Sequence, residues 1–502
     1  VAAFVLSLLP ELSGQSVSGQ IGSVGQNEAE PEGEPAPKPS VDVGRTLFLR
    51  DWTKHKRERG DGLGPMYNAV SCVACHKEGG TGGSGKNDAN VDLLSVISPR
   101  PKRGRGFSMH ARARLRKIHP DFNERQLSIT IHKTGQDDLG KTATYDAFRR
   151  RLLGWETDHV LSVENPRRMK HGFELEFSQR STPALFGAGL IDQVSDRELI
   201  ELARHQADRV PGISGRVPQT ATASVGRFGW RGQVGSLHDF VLGACVNELG
   251  LQVVEGQTEP LNPIEVERDS MGFDRQFTIT GVDLTSHETQ SLTAFIASLP
   301  APALLNGISL DQSKAALDGE EFFQQIGCSD CHVKDVGPAK GVYSDLLLHD
   351  MGPVLADALA SVPEINERTA PGFSSYYGSS AIEQLVNVTT NIRQEWRTPP
   401  LWGVADSGPW LHDGRAGSLD AAIRLHGGEG AAAARKFTGL RQKDRDRLLA
   451  FLKSLGAPGA EPRPVFFQRN RIRSGFGSSG IGAGFFSLPG HGRPGLDVPG
   501  VR

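Results

Sequence analysis

Apolar residues recur at three-to-four spacing in a series of short segments: VDVGRTLFLRDW (41–52), SDRELIELARHQAD (195–208), ETQSLTAFIASL (288–299), LDGEEFFQQIG (317–327), SLDAAIRLH (418–426) and RDRLLAFLKSL (445–455). Each predicts a short amphipathic helix with one buried face. Period-two alternation is scarce, and QFTITGV (276–282) is the best strand candidate. The pattern gives a mainly α fold with long loops. Residues 17–40 and 459–502 are rich in Gly, Pro and Ser, with Glu in the first and Arg in the second, and predict a disordered linker and a disordered tail. Residues 1–16 begin with the apolar run VAAFVLSLLP followed by small and polar residues, the pattern of a signal-peptide remnant.

The stretch between these ends divides into two similar halves, 41–300 and 301–458. Each opens with a helix carrying a glycine (Gly44, Gly319), followed by SCVACH (71–76) or GCSDCH (327–332). Farther on, STPALFG (181–187) answers RTPPLWG (397–403), and FGWRGQVGSL (228–237) answers WLHDGRAGSL (410–419). A helix closes each half. Landmarks repeated in one order predict two related domains.

Composition changes this picture little. A chain of 502 residues with 37% hydrophobic and 23% charged residues fits a soluble globular protein. A net charge of −2 gives no global pull toward nucleic acid or a membrane surface. No apolar run reaches the roughly 20 residues of a membrane helix, so no integral span is expected. The basic stretch from Lys102 to Lys117 reads as a solvated face, with docking of an acidic electron donor as the alternative.

The chemistry lies in the cysteines. Four of the five fall in the two CxxCH units. Such a unit suits half a zinc site, a redox dithiol or a c-type haem attachment point. Zinc prefers four ligands from paired CxxC units, yet these dithiols lie in separate halves. A thioredoxin-like dithiol belongs in a βαβ setting, which the pattern lacks. Haem attachment fits: Cys72 and Cys75, and Cys328 and Cys331, form thioethers, and His76 and His332 become proximal iron ligands. Two covalent haems c are expected, and export to the periplasm or outside with them. Cys245, left over, reads as a small buried hydrophobe. In the repeat, the position matching His426 is Ala244. With His426 as a distal ligand, one haem is bis-His and the other is not, which suggests one storage and one reactive centre.

GDGLGPMYNAVSCVACHKEGGTGG, STPALFGAGLID, RFGWRGQVGSL, YSDLLLHDMGP and RTPPLWGV with LHDGRAGSLDAAIRLHGG resemble the bacterial di-haem oxidoreductase family over about residues 41–458. That family is similar to di-haem cytochrome c peroxidases and to the di-haem enzymes that mature tryptophan-derived quinone cofactors. The resemblance implies that electrons from a small redox donor protein, a cytochrome or cupredoxin, enter at the C-terminal haem, and that hydrogen peroxide is reduced at the N-terminal one. His426 falls where the peroxidases place a Met and the maturation enzymes a Tyr. Trp230 falls where the peroxidases have a tryptophan between the haems. Glu248 corresponds to the acid of the peroxide pocket, across a two-residue gap. Thr398 and Pro400 match carbonyl ligands of a calcium ion. The chain departs from the family in having Trp230 to Val234 in place of WDGRA. Residues 100–175 lack a counterpart, and His110, His119, His132, His159, His171 and Met109 within them are candidate caps of the N-terminal haem, mostly reading as surface residues. His349 and Met351 are candidates for a haem edge, and Asp345 and Asp350 for turns. The alternatives are a di-haem electron carrier without catalysis and a high-valent di-haem oxidase of a protein or organic substrate.

Overall fold

The computed structural model describes residues 38–54, 62–99, 107–119, 122, 127–135, 142–153, 167–220, 224–253, 281–302, 310–357 and 392–458. The expected signal remnant, the disordered tail, nearly all of the 17–40 linker, most of QFTITGV, and His159 lie outside these residues.

The first half contains helices α1 (Val41–Leu49), α2 (Cys72–Cys75), α3 (Met109–Arg116), α4 (Ala143–Leu153), α5 (Ala188–Asp192), α6 (Asp196–Arg209), α7 (Leu237–Leu249) and α8 (Ser286–Ala297). The second contains α9 (Leu310–Gln325), α10 (Leu419–Arg424), α11 (Ala431–Gly439) and α12 (Gln442–Ser454). Polar residues set several starts. Ser195 and Thr285 form capping boxes with Glu198 and Glu288, and Ser236 and Ser418 cap α7 and α10. Helices occupy all six amphipathic segments of the sequence.

The repeat is visible in the packing. α1 crosses α8 and α9 crosses α12 at a glycine: a Cβ on Gly44 would lie 2.0 Å from the Ser291 carbonyl oxygen, and one on Gly319 2.0 Å from that of Arg447. Phe48 stands against Phe295 and His76, with centroids 5.3 and 6.4 Å away; Phe323 repeats this with Phe451 and His332 at 5.3 and 6.1 Å.

A sheet that the sequence pattern did not predict lies in the first half. Strands β1 (Met66–Tyr67), β2 (Val91–Ser98), β3 (Ser128–Ile131), β4 (Thr134–Gly135), β5 (Arg167–Lys170) and β6 (Phe173–Arg180) are all in this region, and β3-β2-β6-β5 form an antiparallel sheet. Its apolar side chains, with those of α3 and α4, make a core of their own around Leu94, Leu115, Ile129, Phe148 and Phe173. The helical part of the first half packs around a separate core that also takes in Val336, Leu347 and Trp402 of the second half. The second half has a third core around Phe323, Phe437 and Phe451. Strands β7 (Leu348–Asp350) and β8 (Glu395–Arg397) pair antiparallel in the second half.

The halves meet reciprocally. Gly187 leaves room for the Trp402 ring, 2.2 Å from where a Cβ would sit, and Gly403, its counterpart in the repeat, faces the Phe186 ring at 3.2 Å. Ser181 N–H donates to the His412 carbonyl (2.8 Å), and the matching Arg397 N–H donates to the Trp230 carbonyl (3.0 Å). The seam has pseudo-two-fold symmetry.

Candidate functional site

A continuous cavity of about 700 Å³ runs along this seam. Its lining includes Cys72, Cys75 and His76 at one end, Cys328, Cys331, His332 and His426 at the other, and Trp230 and Glu248. The volume lies within the range of cofactor sites.

Three histidines on its wall share one arrangement. His76 Nδ1 donates to the carbonyls of Gly83 (3.2 Å) and Pro183 (3.1 Å), His332 Nδ1 to Tyr343 (2.9 Å), and His426 Nδ1 to Ala422 (2.8 Å). A carbonyl can only accept, so the proton is on Nδ1 and Nε2 keeps its lone pair for a metal. Burial lowers His76 and His332 to about 4 and lowers His426 as well, so all three are neutral imidazoles at pH 7. Burial pushes the Cys72 thiol up to about 12, Cys75 to about 11 and Cys328 to about 12. With two CxxCH units and two neutral imidazoles whose Nε2 lone pairs are free on the cavity wall, the residues fit two covalently held haems.

His426 and Ala244 both reach the cavity, each eight residues beyond the serine that caps its helix. The sites therefore differ: one has an imidazole where the other has a methyl group. Glu248 stands one helical turn beyond Ala244. Its Oε2 accepts from Asn68 Nδ2 (2.8 Å), while Asn68 Oδ1 accepts from Lys133 N–H (3.0 Å). Burial raises the Glu248 carboxyl to about 7, opposed by the Asn68 hydrogen bond and by Lys133. Trp230 Nε1 donates to the Ser181 carbonyl (3.0 Å), and its ring stands edge-on to His412 at 6.5 Å.

Of the other candidates, His349 and Met351 line the cavity. His349 is held between two carboxylates, with Nε2 2.9 Å from Asp345 Oδ2 and Nδ1 2.7 Å from Glu429 Oε2. Asp345 and Asp350 also stabilise turns, accepting from Leu347 N–H (2.9 Å) and Gly352 N–H (2.7 Å). His110, His119, His132, His171 and Met109 do not line the cavity. His119 and His132 are buried instead of surface residues: His119 packs against Phe122 and Phe148 of the sheet lobe, and His132 Nε2 donates to the Asn247 carbonyl (3.0 Å). Cys245 lies in the core of the first half. The Thr398 carbonyl accepts from Ser344 Oγ (2.6 Å) and Arg397 Nη1 (3.4 Å), and Thr398 and Pro400 both line the cavity.

Sequence reasoning missed Asn68, Arg397 and Trp396. The last stacks on His412 with centroids 3.6 Å apart and the Arg231 guanidinium 4.0 Å from its ring. Arg397 opens the RTPPLWG landmark and Trp396 directly precedes it, the one local signal that could have drawn attention to them.

Residues 387–455 match the family described as "Di-haem oxidoreductase, putative peroxidase". The chain is also 25% identical over 156 residues to the hydrazine synthase gamma subunit of Kuenenia stuttgartiensis, covering 28% of this chain and 41% of that subunit. The di-haem peroxidase BthA of Burkholderia thailandensis is 14% identical, with a TM-score of 0.33 over 83% of this chain and 86% of its own. A MauG-like protein associated with microbial copper homeostasis is 15% identical, with a TM-score of 0.26 over 54% of this chain and 94% of its own. Among the described residues, no helix is long and apolar enough to cross a membrane.

Proposed function

We propose that the chain is an exported, periplasmic or secreted, di-haem c-type peroxidase that takes electrons from a small cytochrome or cupredoxin and reduces hydrogen peroxide to water. The observation that carries this reading is the asymmetry of two otherwise matched sites, His426 against Ala244, with Glu248 beside Ala244.

Haem held by Cys72, Cys75 and His76, and by Cys328, Cys331 and His332, would supply one-electron redox chemistry and a place for oxidant to bind. His426 would be a further imidazole holding the haem of the C-terminal site, which would suit that site to receive and store electrons. Ala244 supplies no such ligand. Glu248 near pH 7 exchanges a proton readily, and Asn68 fixes the orientation of its Oε2. It takes a proton from hydrogen peroxide and returns it to the leaving hydroxide, so that two electrons and two protons convert one peroxide to two waters. Trp230, on the cavity wall in the seam, is the electron relay between the halves.

Absorption and EPR spectra of the holoprotein, oxidised and half-reduced, before and after peroxide, test this. One low-spin bis-His signal beside a high-spin centre that reacts with peroxide is the expected result. Two low-spin centres inert to peroxide in both states would leave a di-haem electron carrier.

A further inference from the structure

The seam contains several buried arginines, and their partners separate them. Arg180 is paired with Asp357, Arg216 with Glu395 and Arg227 with Asp196. Arg397 differs. It is only 9% exposed and lines the cavity. Its guanidinium donates to two carbonyls, Nε to Gly229 (2.8 Å) and Nη1 to Thr398 (3.4 Å), and it forms no ion pair among the described residues. Asp345 acts on it at a distance, but that carboxylate is already engaged by Leu347 N–H, Gln206 Nε2 and His349 Nε2. A buried cation without a counter-ion is costly. A guanidinium also offers a fork of donors that matches a carboxylate. In the pseudo-symmetric half the same position is Ser181, so only one side of the seam has this charge.

We propose that Arg397 is the counter-ion of a carboxylate that enters the cavity with the cofactor, namely a haem propionate. This rests on the haem reading above. Through Gly229 and Trp230, whose carbonyls Arg397 also binds, the same residue ties the propionate site to the Trp230 turn.

The test uses the full-length holoprotein and its Arg397→Gln and Arg397→Lys variants. Covalent haem is first counted on all three by haem staining and pyridine haemochrome spectra. Failure of the native chain to hold haem overturns the cofactor reading itself, whereas the outcomes below judge Arg397 alone. Removing a cation beside a propionate disfavours the added electron. At the native midpoint of one haem, the oxidised-to-reduced ratio in Arg397→Gln should rise about tenfold, equivalent to about 59 mV for one electron, and Arg397→Lys should recover most of it. The propionate bending band in the resonance Raman spectrum should shift in both variants. A Gln variant with two covalent haems and both midpoints unchanged overturns the proposal. Should that variant fail to mature, Arg397→Lys decides: a shifted propionate band supports the assignment, and an unshifted one ends it.

Discussion

Glu248 combines a structural cost with a chemical use. Its carboxyl titrates near 7 in the fold against an ordinary 4.5. Between those values the folded chain keeps a proton that the unfolded chain releases, so stability falls as pH rises through this window and levels off above it. The depth is on the order of 3 kcal/mol. Glu248→Gln should therefore raise the unfolding free energy by up to that amount near pH 8 and change it little near pH 4, as measured by denaturant titration at both values. The same substitution should slow peroxide reduction by roughly 10²–10⁴-fold. At this scale the sequence was partly legible. Thiols and imidazoles locked in a CxxCH spacing declare themselves within six residues. Asn68 does not, because its partner lies 180 positions away in the chain and nothing local marks the pairing.

The glycine crossings decide how close the helices of each half can lie. An alanine in mid-helix ordinarily gains about 1 kcal/mol over glycine, but at Gly44 and Gly319 its Cβ would sit 2.0 Å from a carbonyl oxygen of the facing helix. Overpacking then dominates, and Gly44→Ala and Gly319→Ala should each lose at least about 2 kcal/mol in calorimetry. Gly417→Ala, with nothing within 4 Å of the added methyl group, should melt as the native chain does. The helices were legible because each keeps a single apolar face. The sheet was hidden for two reasons. The first six residues of β2 are buried, so the strand does not alternate. In β6 the alternation is present, but its polar member Glu176 is buried too, paired with Arg167 and Arg393. Charge there reads as solvent exposure when it is internal pairing.

Across the whole molecule, the halves stay in register through rings placed against glycines. Gly187→Ala and Gly403→Ala should disturb the same seam, Gly187→Ala more severely, because its methyl group would lie 2.2 Å from Trp402 where the other lies 3.2 Å from Phe186. Both residues also have positive φ, +70° and +71°, which adds backbone strain to either change. Limited proteolysis at the seam and the melting temperature would register the order of severity. The repeat order was legible in the chain; the reciprocity was not, since it is a relation between landmarks and not a property of either.

That reciprocity has a consequence of another kind. Contacts in which one position meets a second, while the second's counterpart meets the first's, belong to an isologous homodimer. This chain has the form of such a dimer with its protomers fused. Identical protomers must carry identical sites, so neither can specialise as source and the other as sink. A fused pair is free of that constraint, and matched positions of the two halves differ: Ser181 answers Arg397, Trp230 answers His412, and Ala244 answers His426. Ala244→His would restore equality at the last pair. Two matching low-spin EPR signals, and loss of peroxide turnover without loss of electron uptake, would be the mark of a molecule returned to the symmetry of two equal partners.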